Sequence, residues 1–382
     1  LKYLNSSKDF YYGNLIKRIN KKKVLKIFLN HTKYNSLYLN KVIRNRNTLV
    51  IDTYLNIFTE LKIFLKKIMG ILYLINYLTR KEVKLKEFKV LLFSLLGSQT
   101  SFSLRVYYYF KKLIKNTNVK NLFFTFEGYG WERMCIKAAK ESKVKCIGYQ
   151  HTIITKNHIS IFNNPKSYAP NIIFCSHKQS MQELKNRIKS SEIKFKFIGN
   201  YKNELKKIKK IKFKKLSNKI LVIPEGIYSE CYDLFAFSLQ CAKKFKKLSF
   251  TWRLHPVIKL SRIFQKLKLK KNNLPKNIII SRKSINKDFF ENVFILYKGS
   301  SAAALGLLNR NYPIYLNNDI ESFNLDPLQK YLKRKNYIKN SSDLINYIEN
   351  IKSQKKFNLN KTIIKLKRDF FGKTKDISNT VY

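Results

Sequence analysis

Two groups able to take a proton from a hydroxyl, Glu127 and His151, fall in one stretch, NLFFTFEGYGWERMCIKAAKESKVKCIGYQHT, at residues 121–152. A carboxylate or an imidazole held against a reacting hydroxyl acts as a general base. Leu122, Phe123, Phe124 and Phe126 form a β-prone run, and Trp131, Cys135, Ala138 and Ala139 recur at helical spacing. The stretch therefore reads as strand, tight turn, helix, strand. Glu127-Gly128-Tyr129-Gly130 ends the first strand and Gln150-His151 ends the second. In an open parallel sheet both loops lie on the carboxyl edge, where α/β proteins hold ligands. Two glycines in three residues let the backbone turn sharply or approach a ligand closely.

A second set of residues suits an anion. Gly299-Ser300-Ser301 lies between an apolar strand (292–297) and a helix (302–308), so two hydroxyls and a helix's free amides point one way. A plain serine N-cap is the simpler reading of the same residues. His255 follows a strand in Trp252-Arg253-Leu254-His255-Pro256, and the proline keeps it extended. Arg253 and Lys298 add cationic groups nearby, and Glu225-Gly226 ends the strand at 219–223.

Alternating strands and helices must position these groups. Residues 48–52 and 90–96 read as short strands, the latter ending at Gly97, and helical periodicity covers residues 55–78, where Leu55, Phe58, Leu61, Phe64, Ile68, Ile71 and Leu74 recur. Lys62, Lys66 and Lys67 occupy its other face. Packing of the apolar face on the domain core is expected, with attachment to anionic lipid as the alternative. Strands at 171–176 and 195–198 flank a helix at 178–190. A lysine run at 204–218, ELKKIKKIKFKKLSN, shows no core face and reads as a linker; a calmodulin-like or nucleic-acid-binding segment is its alternative. Beyond it the alternation restarts. The expected organisation is α/β: an N-terminal domain (1–203), the basic linker (204–218) and a C-terminal domain (219–382), both Rossmann-like and facing across a cleft.

Composition adds a partner. Of 382 residues, 78 are Lys or Arg and 23 are Asp or Glu, a formal net charge of +55. AT-rich codon usage accounts for part of this, but such a field also implies anionic partners: membrane lipid, nucleotide phosphates or nucleic acid. The Tyr and Phe residues fall inside strand and helix patterns, and no RNP, KH or helix-turn-helix signature is present, which argues against nucleic acid. Five cysteines lack metal-ligand spacing and read as buried thiols in a reducing compartment. There is no DxD, His31, His158 and His177 have no ligand-spaced neighbours, and neither a metal nor a cofactor is expected. The longest apolar run, 68–75, is too short to span a bilayer and no signal peptide is visible, so a cytoplasmic protein, peripheral on the inner membrane face, is expected. The chain begins with Leu rather than Met, which leaves room for a preceding piece.

The order acidic residue-Gly, then His-Pro, then Ser-Ser resembles bacterial GT-B glycosyltransferases that use CMP-activated sugars, including sialyltransferases and some Kdo transferases. That resemblance implies phosphate contacts for His255, Ser300 and Ser301. EGYGWER followed by GYQHT is similar to a bacterial surface carbohydrate biosynthesis family of glycosyltransferases. Together the resemblances cover residues 120–320. They imply transfer of a sugar from a nucleotide donor to a surface polysaccharide or lipid-linked acceptor without metal, with CMP-sugar favoured and UDP, GDP and CDP donors open. Two acidic-Gly pairs are available for the base, and by domain position Glu127-Gly128 matches better than Glu225-Gly226. His151 is the rival base, Asp52 a weaker one, and only Asp288 and Glu291 offer an acid for the ribose. Glu132 and Arg133 are read as a pair orienting the loop. A CDP-polyol phosphotransferase on the same fold and a basic nucleic-acid-binding protein are the alternatives.

Overall fold

The computed structural model describes residues 9, 11–15, 24–30, 38–39, 41, 48–51, 55–80, 82–154, 158–163, 165–188, 192–201, 217–270, 273–317, 326–333, 335–353 and 359–370. The chain divides into two compact units, the first drawn mainly from Leu1–His151 and His158–Glu204 and the second from Thr152–Asn157 and Leu205–Gly372. Most of the lysine run proposed as a linker, and Asp52, lie outside the described residues.

In the first unit β1 (Lys26–Leu29) pairs in parallel with β2 (Thr48–Ile51). A second parallel sheet has the order β3 (Asn121–Thr125), β4 (Lys145–Gln150), β5 (Ile172–Cys175), β6 (Lys194–Phe197). Alternation of side chains sends Ile147, Tyr149 and Phe174 to one face with Leu15 and Tyr201. On a different cluster Leu122 meets the helices Ser98–Lys115 and Gly130–Glu141 through Val106, Phe110, Cys135 and Ala138. Gly148 of β4 leaves room for Phe126, because a Cβ there would lie 2.7 Å from that side chain.

Residues 90–96 are not a strand. They belong to a helix, Leu85–Leu96, whose start is closed by the Glu87 carboxylate accepting from the Lys84 N–H (3.2 Å). Leu and Phe are serviceable helix formers, and a short apolar run carries no periodicity of its own to separate the two states. The helix expected at 55–78 forms as Ile57–Thr79, capped by the Asn56 side chain on the Thr59 N–H, but Ile63 alone of its described residues is fully buried.

The second unit carries six parallel strands in the order β12-β11-β10-β7-β8-β9, with β7 at Lys219–Ile223, β8 at Ser249–Trp252, β9 at Ile278–Ile280, β10 at Phe294–Tyr297, β11 at Tyr312–Leu316 and β12 at Tyr337–Ile338. Renumbered within the unit this is the doubly wound order 3-2-1-4-5-6, which reverses between β7 and β10. Ile220, Val222, Phe294 and Leu296 pack to one face with Trp252 and Leu234. Leu221, Ile223, Ile295 and Tyr297 pack to the other with Ala303, Leu307 and Leu366. Near-continuous apolar strands are what a sheet covered on both faces requires. The five cysteines are all buried and free.

Candidate functional site

The second unit's site grows from the reversal point of its sheet. Glu225 and Gly226 follow β7, His255 follows β8, and Gly299-Ser300-Ser301 follow β10, so all three motifs leave the carboxyl edge where the crevice of a doubly wound sheet opens. They also touch. A Cβ on Gly226 would sit 3.1 Å from Cε1 and Nδ1 of the His255 ring, so this position keeps the backbone low beneath the imidazole. The Val257 N–H donates to His255 Nδ1 at 3.5 Å. A neutral ring accepting there carries its proton on Nε2.

Gly299 is set between two carboxylates. A Cβ on it would lie 2.4 Å from Glu225 Oε2 and 3.1 Å from Glu230 Oε1. Glu230 sits in the first turn of the helix Tyr228–Lys244 and is 3% exposed. Its charge is felt locally: burial first, then Glu230 and Glu225, push the Cys231 thiol up to about 12. Ser300 is buried and Ser301 exposed, and their carbonyls accept from the N–H groups of Ala303 (3.1 Å) and Ala304 (3.2 Å) as the helix Ala302–Leu308 starts. Sequence reading missed Glu230, since a Glu in a helix's first turn looks like dipole compensation alone.

Two cations expected at this site are engaged by carboxylates instead. Arg253 donates to Asp288 Oδ2 (2.6 Å) and to the Lys283 carbonyl (2.7 Å). Asp288 is fully buried and also accepts from Ser281 Oγ (2.6 Å), so this ion pair closes the end of β9 against the helix Ile285–Glu291. Lys298 is 1% exposed and its Nζ donates to Asp233 Oδ2 at 3.0 Å. Glu291, the other candidate for the ribose, pairs with Lys283.

In the first unit Glu127 and His151 are brought together. Parallel pairing of β3 with β4 sets their ends side by side, and His151 Nδ1 lies 3.5 Å from Glu127 Oε1. Tyr149 stacks on the imidazole at 6.2 Å between centroids, and Tyr11 meets it edge-on at 5.2 Å. Tyr11 is supplied by a tight turn in which Asp9 Oδ1 accepts from the Tyr11 and Tyr12 N–H groups. Burial and then the Glu127 and Asp9 charges raise its phenol above the ordinary value. Nothing in the sequence ties Tyr11 to a strand end 140 residues later.

The Glu127 loop is held from beneath. Glu132 is fully buried, and its Oε2 accepts from the N–H groups of Glu127 (2.8 Å) and Tyr129 (3.0 Å). Burial outweighs these bonds and pushes its carboxyl up to about 7. Glu132 and Arg133 do not pair. Arg133 instead donates to the carbonyls of Ser160 (2.6 Å) and Asn163 (3.2 Å). Gly128 adopts φ +83°, and a Cβ on it would collide with the Ser160 carbonyl oxygen at 2.4 Å, so no other residue fits. Beside the loop opens a pocket of about 760 Å³ lined by Ser103, Tyr129, Trp131, Arg133 and Tyr168 among others.

Among the described residues no group of three or more His, Cys, Asp or Glu could hold a metal ion, and no helix is long and apolar enough to cross a membrane. No known family and no curated protein matches this sequence. Solved structures do overlay on it. The S. aureus MnaA-UDP co-structure is 11% identical over 94% of this chain and 93% of its own, with a TM-score of 0.49. UDP-GlcNAc 2-epimerase from Neisseria meningitidis bound to UDP-GlcNAc is 12% identical over 94% and 97%, with a TM-score of 0.47. Acinetobacter baumannii MurG is 11% identical over 70% and 74%, with a TM-score of 0.41. At these scores none of the overlays decides a substrate or a reaction for this chain.

Proposed function

We propose that the protein is a GT-B-type glycosyltransferase that moves a sugar from a nucleotide-activated donor, a CMP-sugar first among them, to a polysaccharide or lipid-linked acceptor of the cell envelope at an anionic membrane surface. The observation that carries this is the convergence of Glu225-Gly226, His255 and Gly299-Ser300-Ser301 at the reversal point of a doubly wound sheet. His255 Nε2–H and the Ser300 and Ser301 hydroxyls donate to the phosphate of the leaving nucleotide, while Glu225 and Glu230, which would repel phosphate, accept from ribose or sugar hydroxyls. Arg253 and Lys298 act behind this shell, through Asp288 and Asp233.

The first unit supplies the proton chemistry. As the acceptor oxygen attacks the anomeric carbon and the carbon–oxygen bond to phosphate breaks, the acceptor proton passes to the Glu127–His151 pair. Either group serves as base: His151 with its imidazolium stabilised by Glu127 at 3.5 Å, or Glu127 directly. The aromatic and polar walls of the neighbouring pocket suit a glycan, whose C–H faces stack on rings and whose hydroxyls need partners.

Turnover tests the reading. Incubated with CMP-, CDP-, UDP- and GDP-linked donors and envelope glycan acceptors, the wild type is expected to release one nucleotide, and Glu127→Gln and His151→Ala to slow release by about 10²–10⁴-fold, the usual contribution of a general base. Phosphorus NMR of the product separates the polyol-phosphate alternative, which leaves phosphate in the product. No release from any donor, or release indifferent to both substitutions, overturns the proposal.

A further inference from the structure

The helix Ile57–Thr79 and the following helix Leu85–Leu96 form a hairpin whose apolar side chains are not covered. Phe58 (73%), Leu61 (54%), Phe64 (59%) and Leu72 (54%) are more than half exposed, as are Val90 (60%) and Phe93 (75%) on the second helix. On the first helix these residues are spaced by threes and fours with Ile68 and Ile75, so they form one stripe rather than scattered exposure. A continuous exposed apolar stripe marks an interaction surface. The opposite side is fixed to the first unit. Arg105 makes a two-pronged bond to Glu60 (2.8 and 2.9 Å), Lys67 Nζ donates to Ser101 Oγ (2.7 Å) and the Leu96 carbonyl (3.0 Å), and Gly70 lies against Leu95 of the hairpin's own second helix. The stripe is thus held outward by bonds on its back.

We propose that this hairpin embeds its apolar stripe in the headgroup–acyl boundary of an anionic membrane, lying in the plane of the surface without crossing it. This deepens the membrane-surface part of the proposed function by assigning attachment to apolar insertion as well as charge. Charge complementarity selects the occupant. Residues 57–96 hold eight Lys or Arg against three Glu, and, while the Lys66 ammonium lies over the Tyr107 and Tyr108 rings behind the hairpin, the exposed Lys62, Lys86 and Lys89 flank or punctuate the apolar residues. Such side chains lay their stems along acyl chains and keep the ammonium among lipid phosphates. A second copy of this chain, also at +55, would bring the same charges against them. Gln99 and Thr100, which line the pocket beside the Glu127 loop, follow the hairpin directly, so insertion brings that pocket to the surface where a lipid-linked acceptor lies.

Vesicle flotation tests the assignment, using the full chain with phosphatidylglycerol-containing and pure phosphatidylcholine vesicles, in low and high salt. Phe64→Ser with Leu72→Ser and Phe93→Ser alters exposed positions only. We expect the wild type to float with anionic vesicles and partly to persist in high salt, the apolar variant to bind at least 10-fold more weakly, and Lys62→Gln with Lys86→Gln and Lys89→Gln to weaken binding chiefly in low salt. Nucleotide binding and melting temperature are expected to be unchanged in both, which separates failure of the hairpin from failure of the enzymatic reading. Absence of wild-type flotation, or equal flotation of the apolar variant, overturns the proposal. So does light scattering that shows a wild-type dimer turned to monomer by the apolar substitutions.

Discussion

The motif residues divide by what they touch. His255 lies on Gly226 at the strand end, whereas Arg253, two positions earlier, is bound to a fully buried Asp288. Breaking a buried ion pair from one side leaves an uncompensated charge and costs about 3–5 kcal/mol. Arg253→Ala is therefore expected to lower the free energy of chemical unfolding by about that amount, while His255→Ala leaves it nearly unchanged. An unfolding free energy insensitive to Arg253→Ala would return that guanidinium to the ligand site. Sequence reasoning singled out His255, Ser300, Ser301, Glu127 and His151 because each follows a strand end, all but His151 in a motif with Gly or Pro. It could not separate Arg253 and Lys298 from them, since a basic side chain near a strand end looks the same whether it faces a ligand or a buried carboxylate.

Glu132 shows how an element stabilises a loop and makes it pH-sensitive. Its carboxyl is held up to about 7 in the folded chain against an ordinary 4.5. The folded state therefore holds the proton more tightly, and stability is full below 4.5 and declines as pH rises towards 7. The limiting slope for one proton is about 1.4 kcal/mol per pH unit. Glu132→Gln keeps an acceptor for the two N–H groups, and the Thr125 hydroxyl, which donates to Glu132 Oε1 at 3.3 Å, can turn to accept from the amide, so the variant's unfolding free energy is expected to vary less between pH 5 and 7 than that of the wild type. Identical profiles for the two proteins would remove Glu132 as the titrating group. The strand–turn–helix–strand unit around this residue was legible because apolar runs, glycines and helical spacing agree at β3, the loop and β4. The Leu85–Leu96 helix was not, because Val90 to Leu96 holds six apolar residues broken only by Ser94 and carries no clear period. The expectation that the Ile57–Thr79 stripe faces a core failed for a related reason: amphipathic spacing shows that a helix has an apolar face and not what covers it.

For the whole molecule, each of the two α/β units carries its own cluster, Glu127 with His151 in the first and Glu225, His255 and Gly299 at the sheet's reversal point in the second, to which the proposed function gives separate tasks. The alternation of strands and helices was enough to anticipate this class. The strand order that marks the reversal between β7 and β10 lies beyond sequence, because order is set by long-range pairing. The charge of +55 guarantees that any polyanion will bind weakly and that salt will weaken it, so specificity is the decisive quantity. Calorimetric titration of the wild type with CMP, CDP, UDP and GDP at physiological salt, repeated on His255→Ala and on Ser300→Ala with Ser301→Ala, measures it. The account predicts micromolar binding of one nucleotide, weakened about 10–100-fold by either substitution, as loss of hydrogen bonds to a charged group requires. Equal weak binding of all four, indifferent to these substitutions and abolished by added salt, would contradict it.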